Sequence, residues 1–121
     1  MQDYCGELKN EEILKIGLKW LDEIETGEAA GARVRNPHEI LRMLEVFNII
    51  TVGMMIFEAC LARKASNTNL GFKRTDYPQV DPPEWQKWVT IRLAKGNVKT
   101  GDLPLDNHGD MKTNHEARCG L

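Results

Sequence analysis

Few side chains in this sequence have types and spacing that could do chemistry. His115 and Cys119 are four residues apart, so a helix would set both on one face. With His108 they could then ligate zinc. The plainer reading of that stretch is a polar C-terminal tail. His38 falls in the first turn of a predicted helix, where an imidazole is more often a surface or packing residue than a base. Cys5, Cys60 and Cys119 are odd in number and far apart, which points to free thiols in a reducing, cytoplasmic setting. Trp85 and Trp88 could stack on bases, but no basic groove accompanies them, and anchoring of a hairpin is the simpler role. Arg63, Lys64, Lys73 and Arg74 form a small basic cluster. It could face a carboxylate or phosphate of a partner, or be a solvated face with local pairs to Asp76, Glu58 or Glu84.

Motifs for a self-contained active site are absent. The ten glycines make neither GxGxxG nor a Walker loop, and no CxxC, HExxH or GxSxG occurs. No catalytic, cofactor-binding or metal site is therefore assigned. A net charge of −2 gives no electrostatic case for nucleic acid. The first residues lack a basic, then apolar, leader pattern, and no run of 18 consecutive apolar residues is present. The expectation is a protein without membrane insertion.

The elements that would position these residues are organised around the stretch from Asn36 to Ala65. Asn36 is a good N-cap, Pro37 suits the first helical position, and Glu39 can reach back to the Asn36 amide. No proline stands between Pro37 and Ala65, so a helix over 37–65 would be about 42 Å long. Its apolar residues cover most sides, which predicts a core helix buried by several neighbours, Leu44 among its core positions. Asn10 starts an earlier helix to about Glu25, and Thr26-Gly27 would stop it. An extended segment over 70–80 comes after the long helix. Asp81 would cap a short helix carrying Trp85 and Trp88. The alternation from Trp88 to Leu93, the Lys95-Gly96-Asn97 turn and a return strand ended by Pro104 predict a hairpin over 88–103. One domain over 1–105 and a polar tail over 106–121 account for the chain.

The ordered set of short motifs resembles a known family. Met1-Gln2-Asp3-Tyr4-Cys5-Gly6, Glu11-Glu12 and Arg35-Asn36-Pro37-His38-Glu39 are similar to the C-terminal region of fumarate reductase and succinate dehydrogenase flavoprotein subunits. So are Glu58-Ala59 with Leu61-Ala62-Arg63-Lys64-Ala65-Ser66, the turn Arg74-Thr75-Asp76-Tyr77-Pro78, and Trp85. The stretch from Ser66 to Lys73 and the run Asp81-Pro82-Pro83-Glu84-Trp85 look more like the adenylylsulfate reductase alpha subunit branch.

The resemblance implies a mainly α fold: a three-helix bundle with a long central helix and a small C-terminal β-hairpin. It implies a fragment whose parent protein binds FAD upstream, with no flavin contact or catalytic residue carried by this chain. The implied role is a structural and docking domain of a flavin-dependent oxidoreductase. The structural and docking residues would be Asn36, Pro37, Glu39, Arg74, Asp76, Tyr77, Pro78 and Trp85. The implied partner is the FAD-binding domain of the parent chain, with an iron–sulfur subunit left open as another. Uncovered apolar surface would make the isolated chain self-associate. The alternative is a standalone helical protein-interaction module with no redox role.

Overall fold

The computed structural model describes residues 3–68, 71–95 and 97–105. His108, His115 and Cys119, together with the whole of the tail over 106–121, lie outside the described residues.

Two α-helices form the body. Helix α1 spans Glu11–Glu23, and its N-cap Asn10 accepts the Ile13 N–H through Oδ1 at 2.8 Å. Helix α2 spans Pro37–Ala62. Asn36 Oδ1 accepts the Glu39 N–H at 3.0 Å, and Pro37 occupies the first turn. Glu39 reaches back further than the capping box would put it, to the Arg35 N–H at 2.7 Å and the Asn36 side-chain amide at 3.1 Å.

The expected three-helix bundle is not formed. Among the described residues there are two α-helices and two small sheets. The N-terminal turn leads into strand β1 (Leu8–Lys9), which pairs in parallel with β2 (Lys73–Arg74). The expected helix after Asp81 is a single 3-10 turn, Pro83–Trp85. Asp81 does not cap it; it sits at φ +44 and accepts from the Asn67 side chain at 2.8 Å. The physical reason is the β-favouring alternation that begins at Lys87, which leaves no length for a helix. Trp85 and Trp88 are therefore not on one helix face. Trp88 lies on strand β3, opposite Leu103, and is 58% exposed.

Strands β3 (Lys87–Ala94) and β4 (Asn97–Pro104) form the antiparallel hairpin. Ala94 pairs with Asn97, and Lys95 at φ +52 takes the left-handed conformation that a two-residue hairpin loop needs.

Thr26-Gly27 does not end the earlier helix. The chain continues from α1 into a π-helical turn, Ile24–Ala29, with the Ala30 N–H bonding the Glu25 carbonyl at 3.1 Å. Thr26 Oγ1 donates to the Asp22 carbonyl at 2.8 Å, a back-bond that satisfies the polar side chain without breaking the spiral.

The core is small and sits where α1 crosses the C-terminal half of α2. Leu14, Phe57 and Cys60 are buried together, with Tyr4, Leu18 and Phe72 packed around them. Gly17 makes the crossing close: a Cβ there would stand 2.6 Å from Phe57 Cζ and 2.8 Å from Tyr4 Cβ. The prediction of a core helix buried by several neighbours is overturned. Only Ile50, Gly53, Phe57 and Cys60 of α2 are buried, and Leu44 is 56% exposed. Apolar periodicity states how much surface seeks cover, and the described residues supply cover for one stripe only.

Candidate docking surface and the Arg74 knot

Arg74 is the most deeply buried charged residue described, 2% exposed. It lies in β2 because residues 73 and 74 extend alongside the N-terminal strand, with the Thr75 N–H donating to the Lys9 carbonyl at 2.9 Å. Its guanidinium forms a fork with Asp76: Nε to Oδ1 at 2.7 Å and Nη2 to Oδ2 at 2.5 Å. Nη1 donates to the Cys60 carbonyl and, at 3.2 Å, to the Arg63 carbonyl. One acceptor belongs to the last turn of α2 and the other is its C-cap, where carbonyls lack helical partners. Asp76 Oδ2 in turn accepts the Glu11 N–H at 3.1 Å, an orphan donor of the first turn of α1.

The ion pair thus joins the negative end of one helix dipole to the positive end of another, each charge on the side that favours it. The bonded Arg74 guanidinium holds the Asp76 carboxyl below its ordinary range, and Asp76 holds Arg74 above its own.

The rest of the turn closes around this pair. Ser66 Oγ accepts the Arg74 N–H at 2.9 Å and donates to the Tyr77 carbonyl at 2.8 Å. The Tyr77 ring lies 5.2 Å from the guanidinium carbon. Pro78 is exposed just beyond. Trp85 is half-buried in its 3-10 turn, with the Lys87 ammonium 4.4 Å from the ring centroid. The basic cluster is not a single face: Arg74 is enclosed, Lys73 pairs with Glu7 at 2.6 Å, and Arg63 lies 3.9 Å from Asp81.

Six of the eight residues singled out in the sequence fall in two places, with Pro78 and Trp85 in the segment beyond. Asn36, Pro37 and Glu39 are at the start of α2, and Arg74, Asp76 and Tyr77 gather at its far end, about 39 Å away along 26 residues. Ser66, whose hydroxyl ties the turn, is not among them; its neighbours in sequence carry no sign of that role.

Between the two ends runs the largest uncovered apolar surface described on a helix. Leu41, Leu44, Ile49, Val52, Met55 and Ile56 are all exposed, Ile49 by 70%. Asn48, Ile49, Val52, Gly53 and Ile56 line a shallow groove along it. By length and composition alone α2 is also long and apolar enough to cross a membrane, although no run of 18 consecutive apolar residues exists.

The described residues do not fit a flavin. A pyrophosphate seeks backbone N–H groups at a glycine-rich helix start. Here α1 opens with Glu11 and Glu12, and α2 opens with Pro37 and Glu39, so both helix starts present carboxylates. Among the described residues no group of three or more His, Cys, Asp or Glu is placed to hold a metal.

No curated protein matches the chain significantly. The family described as "Fumarate reductase flavoprotein C-term" matches residues 1–114. With nearly all of its length matched, and with the Arg74 turn, the α2 start and the hairpin inside the match, the chain belongs to the fumarate reductase flavoprotein C-terminal family.

Proposed function

We propose that this chain is the non-catalytic docking domain of a flavin-dependent oxidoreductase, seated through the apolar face of α2 against the FAD-binding domain of the same protein. The observation that carries this reading is the unpartnered stripe around Ile49, Val52 and Ile56 in a member of a flavoprotein family. Contiguous apolar surface of that kind marks an interaction site. A protein surface suits it better than a bilayer, because Arg42, Glu45 and Glu58 lie within the helix and charges are costly in hydrocarbon. In this role the Arg74 knot fixes the C-terminal end of α2 against the start of α1, and so sets the direction in which the stripe is presented. FAD belongs to the parent's other domain, where it supplies the redox chemistry. The stretch from Ser66 to Lys73 and the run from Asp81 to Trp85 support a parent of the adenylylsulfate reductase alpha-subunit type.

The test pairs Ile49→Glu with Val52→Glu. The wild-type chain should bind a hydrophobic dye, sediment as more than a monomer at high concentration, and bind the FAD-binding domain of the parent polypeptide. The double variant should keep its melting temperature and lose all three. A wild-type chain that is a dye-free monomer with no affinity for the FAD-binding domain would leave a self-sufficient module as the better reading.

A further inference from the structure

Cys5 and Cys60 are 55 positions apart in the chain, yet their sulfurs lie 3.6 Å from each other. Cys5 is half-buried in the turn ahead of β1, and Cys60 is 9% exposed in the last turns of α2, against Phe57 and Leu14. The buried Lys9 ammonium and the Arg74 guanidinium both favour a Cys60 anion. Burial and then the neighbouring Cys5 outweigh them and push the Cys60 thiol up to about 12. Cys60 is therefore a protonated, inward sulfur at neutral pH, and Cys5 is the one a small oxidant meets first.

We propose that Cys5 and Cys60 are an oxidisable dithiol that a hydroperoxide closes to an intramolecular disulfide. In the first step the Cys5 thiolate attacks the peroxide oxygen. The O–O bond breaks, one oxygen stays on sulfur as the sulfenic acid, and the other leaves as hydroxide and takes a proton to become water. In the second step the Cys60 sulfur attacks the Cys5 sulfur. The S–O bond breaks, the Cys60 proton leaves with that oxygen as a second water, and the S–S bond forms. Two thiols and one hydrogen peroxide give one disulfide and two waters, with two electrons passing from sulfur to peroxide. The sulfurs need to approach by about 1.5 Å to reach a bond of about 2.05 Å. Closure staples the N-terminal turn to the end of α2 beside Arg74. This inference does not rest on the docking role.

The full chain, with its three cysteines, is treated with hydrogen peroxide in its folded state, then unfolded, alkylated and mapped by mass spectrometry. The expected product carries one alkyl group, at Cys119, and yields the Cys5 and Cys60 peptides joined. In Cys60→Ser the reaction should stop at a Cys5 sulfenic acid that dimedone traps. The same treatment in urea should lose the preference and link Cys119 as well. A folded protein that still takes three alkyl groups after oxidation, that links Cys119 instead, or that gives the same product mixture in urea would overturn the proposal.

Discussion

Arg74 closes the carbonyl end of α2, and Asp76, held in its fork, closes the amide end of α1. One ion pair thereby fixes the relative placement of two helices whose bonded ends, Glu11 and Cys60, are far apart in sequence. Breaking a buried pair by removing one partner typically costs about 3–5 kcal/mol. Arg74 keeps two carbonyl acceptors when Asp76 is lost. The expected loss for Asp76→Ala is therefore smaller, about 1.5–3 kcal/mol, the range of hydrogen bonds to a charged group. Chemical denaturation of the two proteins at pH 7 measures it, and a difference under about 0.5 kcal/mol, the range of neutral surface changes, would contradict the linkage.

The same pair sets an acid dependence. Arg74 holds the folded-state Asp76 carboxyl below its unfolded value, so the contribution is full above the unfolded value and is lost as pH falls through the lower, folded one. The stability gap between wild type and Asp76→Asn should be constant from pH 7 to about pH 5 and should shrink below about pH 4. A gap that widens on acidification would reverse the assigned sign.

Gly17 is held to a hydrogen side chain by Phe57. Alanine would gain about 1 kcal/mol in helix propensity, but overpacking typically costs about 1–3 kcal/mol. Phe57 is 1% exposed, and Tyr4 Cβ, fixed to its backbone, meets the same Cβ at 2.8 Å. Packing wins, so Gly17→Ala should lower the melting temperature. A rise would mean that the crossing of α1 and α2 is looser than described.

Along α2, three substitutions separate capping from burial. Asn36→Ala should cost about 1 kcal/mol through the lost cap. Phe57→Ala should cost about 3–5 kcal/mol as a core deletion. Leu44→Ala, at a position the apolar pattern places in the core, should change stability by less than about 0.5 kcal/mol because the residue is more than half exposed. Thermal melts of the three variants rank them, and a Leu44 effect as large as that of Phe57 would show that the face is covered in solution.

What the sequence disclosed and what it hid divide by distance along the chain. The start of α2 was legible because Asn36, Pro37 and Glu39 act within four residues of each other. The hairpin was legible because the alternation and the turn at Lys95 are local too. The third helix failed because helical and strand signals overlap around Trp85, and the strand won. The burial of α2 failed because periodicity cannot say whether a chain owns enough partners. Arg74 and Asp76 could be paired from their spacing of two, but their bonds to Cys60 and Glu11 span 14 and 65 positions. The meeting of Cys5 and Cys60 likewise has no trace in linear order.

Helix α2 is buried most deeply toward its C-terminal end. Phe57, Cys60 and the Arg74 bonds grip its last turns, while Ile40, Leu41 and Leu44 near its start stand in solvent. Such a helix is anchored unevenly along its length. Amide hydrogens near Phe57 can exchange only when the core opens, whereas those near Leu41 need only a local fraying of a few turns. Exchange should therefore quicken steadily from the buried end toward Pro37, and any weight placed on the more exposed half would act with a lever arm of most of the helix length on the small core beneath Gly17.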